Sequence, residues 1–252
     1  QPQPAGPRVS LLRAFIDNDR ILREDWKAAG YDRLWLEVRN VHETCDGTKA
    51  VFVVDAVLCP VSESPVFDVQ TQYEVDRYGT LSVTVRLNPR RKDLPRLPRF
   101  GIRLGLHNTF RHVNWYGLGP GEAYRDMKMS ARTGVWTLPV SELEEPRIVP
   151  QENGVRHELR WLKMLDERGW GLLVENGGVF GAAARHYTVE DLLTTTHHDD
   201  LVPRDFVELC LDHAMDGIGS HSCGHPPLPP YRLHCAPMEA TFRLIPVRPD
   251  DA

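Results

Sequence analysis

The run Phe67-Asp68-Val69-Gln70-Thr71-Gln72-Tyr73-Glu74-Val75, followed after Asp76-Arg77-Tyr78-Gly79 by Leu81-Ser82-Val83-Thr84-Val85-Arg86-Leu87, decides the fold class. In both halves apolar or β-branched residues alternate with polar ones, a period of two that sorts them onto opposite faces of a strand. A helix would scatter the same residues around its circumference. The intervening residues carry turn chemistry, so the pair is expected to be an antiparallel hairpin with one buried face.

Working outward, further strands are expected at residues 50–58, 99–107, 158–165, 170–175, 207–213 and 241–245. Helical signals are short. Residues 21–29 allow about two turns with Trp26 as an inward anchor and Gly30 as a stop, and Thr188-Val189-Glu190-Asp191 resembles a capping box opening a single turn. The 20 prolines cluster at residues 89–98 and 226–230, where edges and loops tolerate a residue that cannot donate to a ladder. Neither an internal repeat nor a Gly/Ser linker divides the chain. The expectation is one all-β domain over residues 1–252, built as two packed antiparallel sheets.

Composition bounds the function. With 41% hydrophobic and 26% charged residues the chain can bury a core. No stretch approaches the ~18 consecutive apolar residues of a membrane span. A net charge of −5 supplies no basic excess for neutralising phosphates, which argues against nucleic acid as the main partner. The five cysteines are an odd set without a C-x-x-C pair, so neither a disulfide framework nor a zinc knuckle is indicated, and a reducing cytoplasm is expected. No basic segment followed by an apolar one opens the sequence, so no signal peptide is expected.

Three segments have compositions that strands do not explain. In Arg13-Ala14-Phe15-Ile16-Asp17-Asn18-Asp19-Arg20 the oxygens of Asp17, Asn18 and Asp19 could meet a ligand or form an Asx-turn and helix cap. In residues 114–124 Trp115 and Tyr116 lie beside Gly117, Gly119, Pro120 and Glu122, a composition for stacking a sugar or turning a tight corner, the corner being favoured for the glycines and proline. In residues 217–225 glycines and small polar residues surround His221, Cys223 and His225, but no fourth ligand accompanies them, so no metal site is assigned. Hydrolysis would need two carboxylates. Glu122 and Glu152 stand out beside glycine or proline, with backbone capping as the favoured alternative role. His197-His198 resembles a proton-transfer pair, although adjacent histidines on a strand would face opposite sides.

At these loops the sequence resembles the C-terminal sandwich domain of glycoside hydrolase family 2 β-galactosidases, also found as the small subunit of two-chain enzymes. The resemblance rests on Arg13-Ala14 with Asp17-Asn18-Asp19, on Val113-Asn114-Trp115-Tyr116-Gly117 through Gly119-Pro120 with Glu122 and Tyr124, on Pro150-Gln151-Glu152-Asn153-Gly154 with Arg156 and Arg160-Trp161, and on Gly217-Ile218-Gly219-Ser220 with Ser222-Cys223-Gly224. Departures include Phe15 where the family commonly has proline, Leu118 and Met127 where it has arginine, and Val155 where it has asparagine. The family domain also commonly begins earlier, with strands that this sequence lacks.

The resemblance implies a supersandwich like that of galactose mutarotases. It implies that the catalytic carboxylates, with magnesium and sodium, belong to a partner (β/α)₈ barrel domain or large subunit, since a barrel needs ~250 residues of its own. It further implies a galactoside ligand, an oligomeric full enzyme, and approach of residues 217–225 and 17–20 to the sugar, with Asp17, Asn18, Asp19, His221 and Cys223 as substrate contacts. The loop lacks the tryptophan that many members carry there. Two rival readings stand beside this one: an autonomous mutarotase-like epimerase, which would bring His107, His186 or His197 to a buried carboxylate, and a stand-alone carbohydrate-binding module, which would expose a strip drawn from Trp115, Tyr116 and Trp136.

Overall fold

The computed structural model describes residues 6–219 and 226–249. Its strands form two antiparallel sheets. The smaller has the order β1 (Arg8–Ser10), β6 (Arg99–His107), β13 (Phe206–Met215), β12 (Phe180–Arg185), β9 (Arg156–Leu159). The larger runs β2 (Leu34–Cys45), β3 (Lys49–Pro60), β4 (Phe67–Asp76), β5 (Leu81–Pro89), β14 (Met238–Val247), β11 (Gly171–Glu175), β10 (Trp161–Leu165), β7 (His112–Gly119), β8 (Arg132–Pro139).

The expected hairpin is present as β4 and β5, with Val75 opposite Leu81 and Phe67 opposite Pro89. Phe67, Val69, Val83, Val85 and Leu87 are buried, and they meet Ile102, Leu209, Leu211 and Ala182 of the smaller sheet in one core. Burial fades toward the turn, where Val75 is exposed. The helix α1 spans Leu22–Ala28 and buries Trp26, whose indole N–H donates to the Arg96 carbonyl at 2.6 Å. Gly30 follows at φ 76°, and a β-carbon there would lie 2.3 Å from Pro60, so both conformation and space demand glycine. The capping box opens α2 (Val189–Thr194): Thr188 Oγ1 accepts from the Asp191 N–H, and the Asp191 carboxylate accepts from the Thr188 N–H.

Three expectations need correction. The strand expected over residues 158–165 is two strands in different sheets. Glu158 adopts φ 54°, and the chain crosses from β9 to β10 around Arg160, whose N–H donates to the Tyr116 carbonyl at 2.8 Å. The segment from Asn114 to Gly119, read as a loop, lies in β7. Gly117 and Gly119 turn no corner there: a β-carbon on Gly117 would meet the Leu159 backbone at 2.8 Å, and one on Gly119 would meet the Trp136 ring at 2.7 Å. Close packing, not turning, explains these glycines. Finally, His197-His198 is not on a strand; His197 precedes a 3-10 turn at His198–Asp200.

Period two along the smaller sheet leaves a second set of side chains on the face turned away from the core. Arg99 and Arg103 of β6, Arg185 of β12, and Glu208, Cys210 and Asp212 of β13 fall in this set, all buried except the partly exposed Arg103. Charges on a sheet face remain buried only where other segments cover and pair them. The covering segments build the site.

Candidate functional site

A cleft of about 600 Å³ opens over this charged face, lined by Ile16, Asp17, Asn18, Arg20, Glu122, Tyr124, Arg147, Gln151, Glu152 and Ile218. Its walls are the segments before α1, after β7, before β9 and after β13.

The first wall is shaped by Asp19. Its carboxylate accepts two hydrogen bonds from Arg13 at 2.6 and 2.8 Å and one from the Ile16 N–H at 2.9 Å, closing a 3-10 turn over Asp17–Asp19. That turn leaves Asp17 exposed and aims Asn18 Nδ2 at the Ile218 carbonyl, 3.0 Å away. The second wall is pinned by Asp126, whose carboxylate accepts from the N–H groups of Ile218 at 3.0 Å and Gly219 at 2.9 Å. Residues 17–20 and the start of the 217–225 segment are therefore neighbours. His221 and Cys223 lie outside the described residues.

Glu122 faces the cleft but is engaged, accepting from Arg147 at 2.5 Å, the Gly154 N–H at 2.9 Å and the Tyr124 hydroxyl at 3.4 Å. Glu152 is fully enclosed. One oxygen accepts from Arg99 at 3.2 Å and from Arg185, the other from the Ala14 N–H at 3.3 Å. Burial would raise its pKa, but Arg185, Arg99 and Arg13 overrule burial and hold it below the ordinary glutamate range. Arg185 also donates to the Asn153 carbonyl at 3.1 Å, and Arg156 donates to those of Pro120, Leu143 and Gly154, so arginines fasten the whole 150–156 segment to the sheet.

Asp212 is a further buried charge. Arg99 Nε lies 3.1 Å from one of its oxygens, off the hydrogen-bonding direction, and neither oxygen has a hydrogen-bond donor. Burial pushes Asp212 up to about 6 against the pull of Arg99. Nearby Asp216 is likewise pushed up to about 6 by burial, although it accepts from the Leu233 N–H at 2.7 Å and lies 3.3 Å from Arg96. Among the described residues the buried arginines Arg13, Arg99, Arg156 and Arg185 are accompanied by the buried carboxyl groups of Asp19, Glu152, Glu208, Asp212 and Asp216.

The sequence-derived candidates divide accordingly. Asp17, Asn18, Glu122 and Glu152 line one cleft, whereas Asp19 lies beneath it with both oxygens on Arg13. Trp115 is fully buried with its indole N–H on the Leu118 carbonyl at 3.0 Å, and Trp136 is half-buried. Of the three aromatics considered for an exposed strip only Tyr116 is open to solvent, beside Trp161 at a centroid distance of 6.5 Å. His107 contacts Thr109 and His186 contacts the Phe206 carbonyl; among the described residues neither they nor His197 pair with a buried carboxylate. No group of three or more His, Cys, Asp or Glu among the described residues is arranged to hold a metal ion.

Sequence reasoning missed Arg13 as a pairing residue, and Arg99, Arg185, Asp126 and Arg147 altogether. The available signal was a lone charge at an outward position of a small or apolar strand, as in Ala182-Ala183-Ala184-Arg185.

This geometry draws together the segments that carry the family resemblance, and comparison with known proteins agrees. The family model described as beta galactosidase small chain matches residues 2–244. The chain belongs to the β-galactosidase small-chain family. Relatives include β-galactosidases of Staphylococcus xylosus, 32% identical over 93% of this chain and 23% of that protein, and of Actinobacillus pleuropneumoniae, 31% identical over 93% and 22%. That of Vibrio cholerae is 33% identical over 87% of this chain and 22% of its own length. This small-chain segment thus spans less than a quarter of the relatives it matches. Among solved structures, Aspergillus nidulans amine oxidase aligns with a TM-score of 0.30 at 9% identity over 84% of this chain and 37% of that one.

Proposed function

We propose that this chain is a non-catalytic part of a β-galactosidase, completing the galactoside site and the assembly of an enzyme whose two catalytic carboxylates lie in a separate barrel region. The observation that carries this reading is the convergence of four separated motif segments on one cleft whose glutamates are already committed. A retaining glycosidase needs one carboxyl that can give up a proton and another open to attack. Glu152 is kept ionised and enclosed by arginines, and Glu122 is taken by Arg147 and a backbone N–H. The cleft instead offers Asp17, Gln151 and the rim of Asn18 to a ligand rich in hydroxyl groups.

The remaining elements of the reading follow from the resemblance. Magnesium and sodium are assigned to the barrel region, the full enzyme is an oligomer of the cytoplasm, and the two sheets form a supersandwich of the galactose mutarotase kind. No helix among the described residues is long and apolar enough to cross a membrane.

The test has two arms. The purified chain is expected to hydrolyse aryl β-galactosides no faster than buffer; turnover abolished by Glu122→Gln or Glu152→Gln would overturn the assignment. In an assembled enzyme Asp17→Ala should change galactoside KM or kcat by about 1–3 kcal/mol at most, the scale of one lost hydrogen-bonding partner, with Tm nearly unchanged. His221→Ala carries the same expectation.

A further inference from the structure

The turn that follows Tyr124 reaches the cleft through backbone rather than by lining it. Tyr124 and Met127 exchange both of their backbone hydrogen bonds at 3.0 Å, which leaves Arg125 and Asp126 at the tip of a tight turn. That turn is anchored. The Ala123 N–H donates to the Val155 carbonyl at 2.8 Å, and Tyr124 is buried with Val155, Ala183 and Met215 in an apolar cluster against which Met127 and Ile218 pack. Asp126 carries its carboxylate only two rotatable bonds from this base, so the turn decides where the carboxylate lies.

Both Asp126 oxygens go to consecutive peptide groups, Oδ1 accepting from the Ile218 N–H at 3.0 Å and Oδ2 from the Gly219 N–H at 2.9 Å. The Gly217-Ile218-Gly219 motif admits this contact. A β-carbon on Gly217 would lie 2.6 Å from Asp126 Oδ2 and 2.8 Å from Pro227 Cβ, and Gly219 adopts φ 93°, in the left-handed region. One glycine gives the carboxylate room, and the other supplies the backbone conformation that brings both N–H groups to it.

From the opposite side Asn18 Nδ2 donates to the Ile218 carbonyl at 3.0 Å. This carbonyl and the Gly219 N–H belong to a single peptide unit, held at its oxygen by Asn18 and at its nitrogen by Asp126. Each bond polarises the unit in the sense that strengthens the other. Asn18 and Ile218 line the cleft, whereas Asp126 stands behind them. The chain entering this segment is fixed as well, because the Asp216 N–H donates to the Pro98 carbonyl at 3.0 Å and the Gly217 N–H to that of Tyr231 at 2.9 Å. What Asp126 adds is the separation between residue 18 on one wall and residue 218 on the other.

We propose that Asp126 is a positioning residue for galactoside binding, setting the width of the cleft by clamping the 218–219 peptide against Asn18. It touches no substrate, and its role rests on the galactoside site proposed above. Without the carboxylate two N–H groups lose their acceptor and the walls can part, so that ligand binding must re-form the cleft. An interaction lost equally from ground and transition states raises KM and leaves kcat in place.

The experiment compares Asp126→Ala, Asn18→Ala and the double variant in the assembled enzyme, with Asp76→Ala as control. Asp76 accepts from the N–H groups of Tyr78 at 2.8 Å and Thr80 at 3.0 Å in the turn between β4 and β5, the same chemistry away from the cleft. Asp126→Ala should raise KM for an aryl β-galactoside about tenfold, the scale of a hydrogen bond to a charged group, with kcat within about twofold. Asp76→Ala should leave KM unchanged. Because Asp126 and Asn18 grip the same peptide, the double variant should raise KM by much less than the product of the single effects. An unchanged KM in Asp126→Ala, or single effects that multiply in the double variant, would overturn the positioning role. If Asn18→Ala alters KM in the same series, the galactoside reading survives that failure; if it does not, both fall. In the purified chain, amide exchange at Ile218 and Gly219 should be at least about tenfold faster in Asp126→Ala, and unaltered exchange would sink the clamp whatever the kinetics. Asp126→Asn, which keeps the shape and one acceptor oxygen, should give intermediate values in both measurements. It carries the same test where the alanine variant does not fold, wild-type KM counting against the role.

Discussion

Glu152 touches two guanidinium groups and the Ala14 N–H at once, tying β6, β12 and the segment before α1 to the 150–156 segment. Removing its charge leaves Arg99 and Arg185 enclosed with less compensation, a situation that costs about 3–5 kcal/mol when one partner of a buried pair is lost. Glu152→Gln should therefore lower unfolding free energy by about that amount in urea melts. A loss within measurement error would show that the network contributes nothing net. Asp212 acts with the opposite sense. Its folded pKa is raised to about 6 from an ordinary 3.8, so the folded state binds the proton more tightly than the unfolded chain. Its stabilising contribution is present below about pH 4 and is lost as pH rises through about 6, by up to ~1.4 kcal/mol per pH unit. Glu152, held below its ordinary range, contributes stability that is lost as pH falls below about 4.5. Asp212→Asn should flatten the stability slope between pH 4 and 6 while leaving the acid limb due to Glu152 in place; an unaltered slope would remove Asp212 from the account.

Among the elements, β7 shows how a loop-like composition can belong to a strand. Asn114-Trp115-Tyr116-Gly117-Leu118-Gly119 pairs along its length with β8, Tyr116 opposite Val135 and Gly117 opposite Gly134. Glycine is required because the crossing between β9 and β10 passes over Gly117 with backbone atoms 2.8 and 2.9 Å from any β-carbon. Gly117→Ala should destabilise by about 1–3 kcal/mol, the range for overpacking a close contact, measurable as a lowered Tm. An unchanged Tm would mean that the crossing can move aside freely. The same crossing explains why residues 158–165 read as one strand: both halves alternate, and nothing in their composition marks the sheet change at Glu158 and Arg160. β12 escaped for another reason. Its Gly-Ala-Ala-Ala core has no period-two contrast because it is buried on both faces.

At the scale of the whole molecule, the far-UV circular dichroism spectrum should be dominated by strand, with helix confined to the short α1 and α2. A helical spectrum would contradict both the period-two patterning and the two sheets. What the sequence by itself determined is whatever depends on neighbours along the chain. The β4 and β5 hairpin, the Trp26 anchor with Gly30 behind it and the Thr188 cap all follow from local sterics, local hydrogen bonds and a short-range polarity pattern. The motif segments that line the cleft were also legible, because unusual polar and glycine-rich composition needs no partner to be noticed. Only the tertiary structure decided which charges pair. Asp17, Asn18 and Asp19 look alike in sequence, yet Arg13 takes Asp19 into the interior and leaves Asp17 in solvent. It also decided that Glu152 serves Arg99 and Arg185, 53 and 33 residues away. Burial and ion pairing depend on distance through space, and sequence separation does not encode that distance.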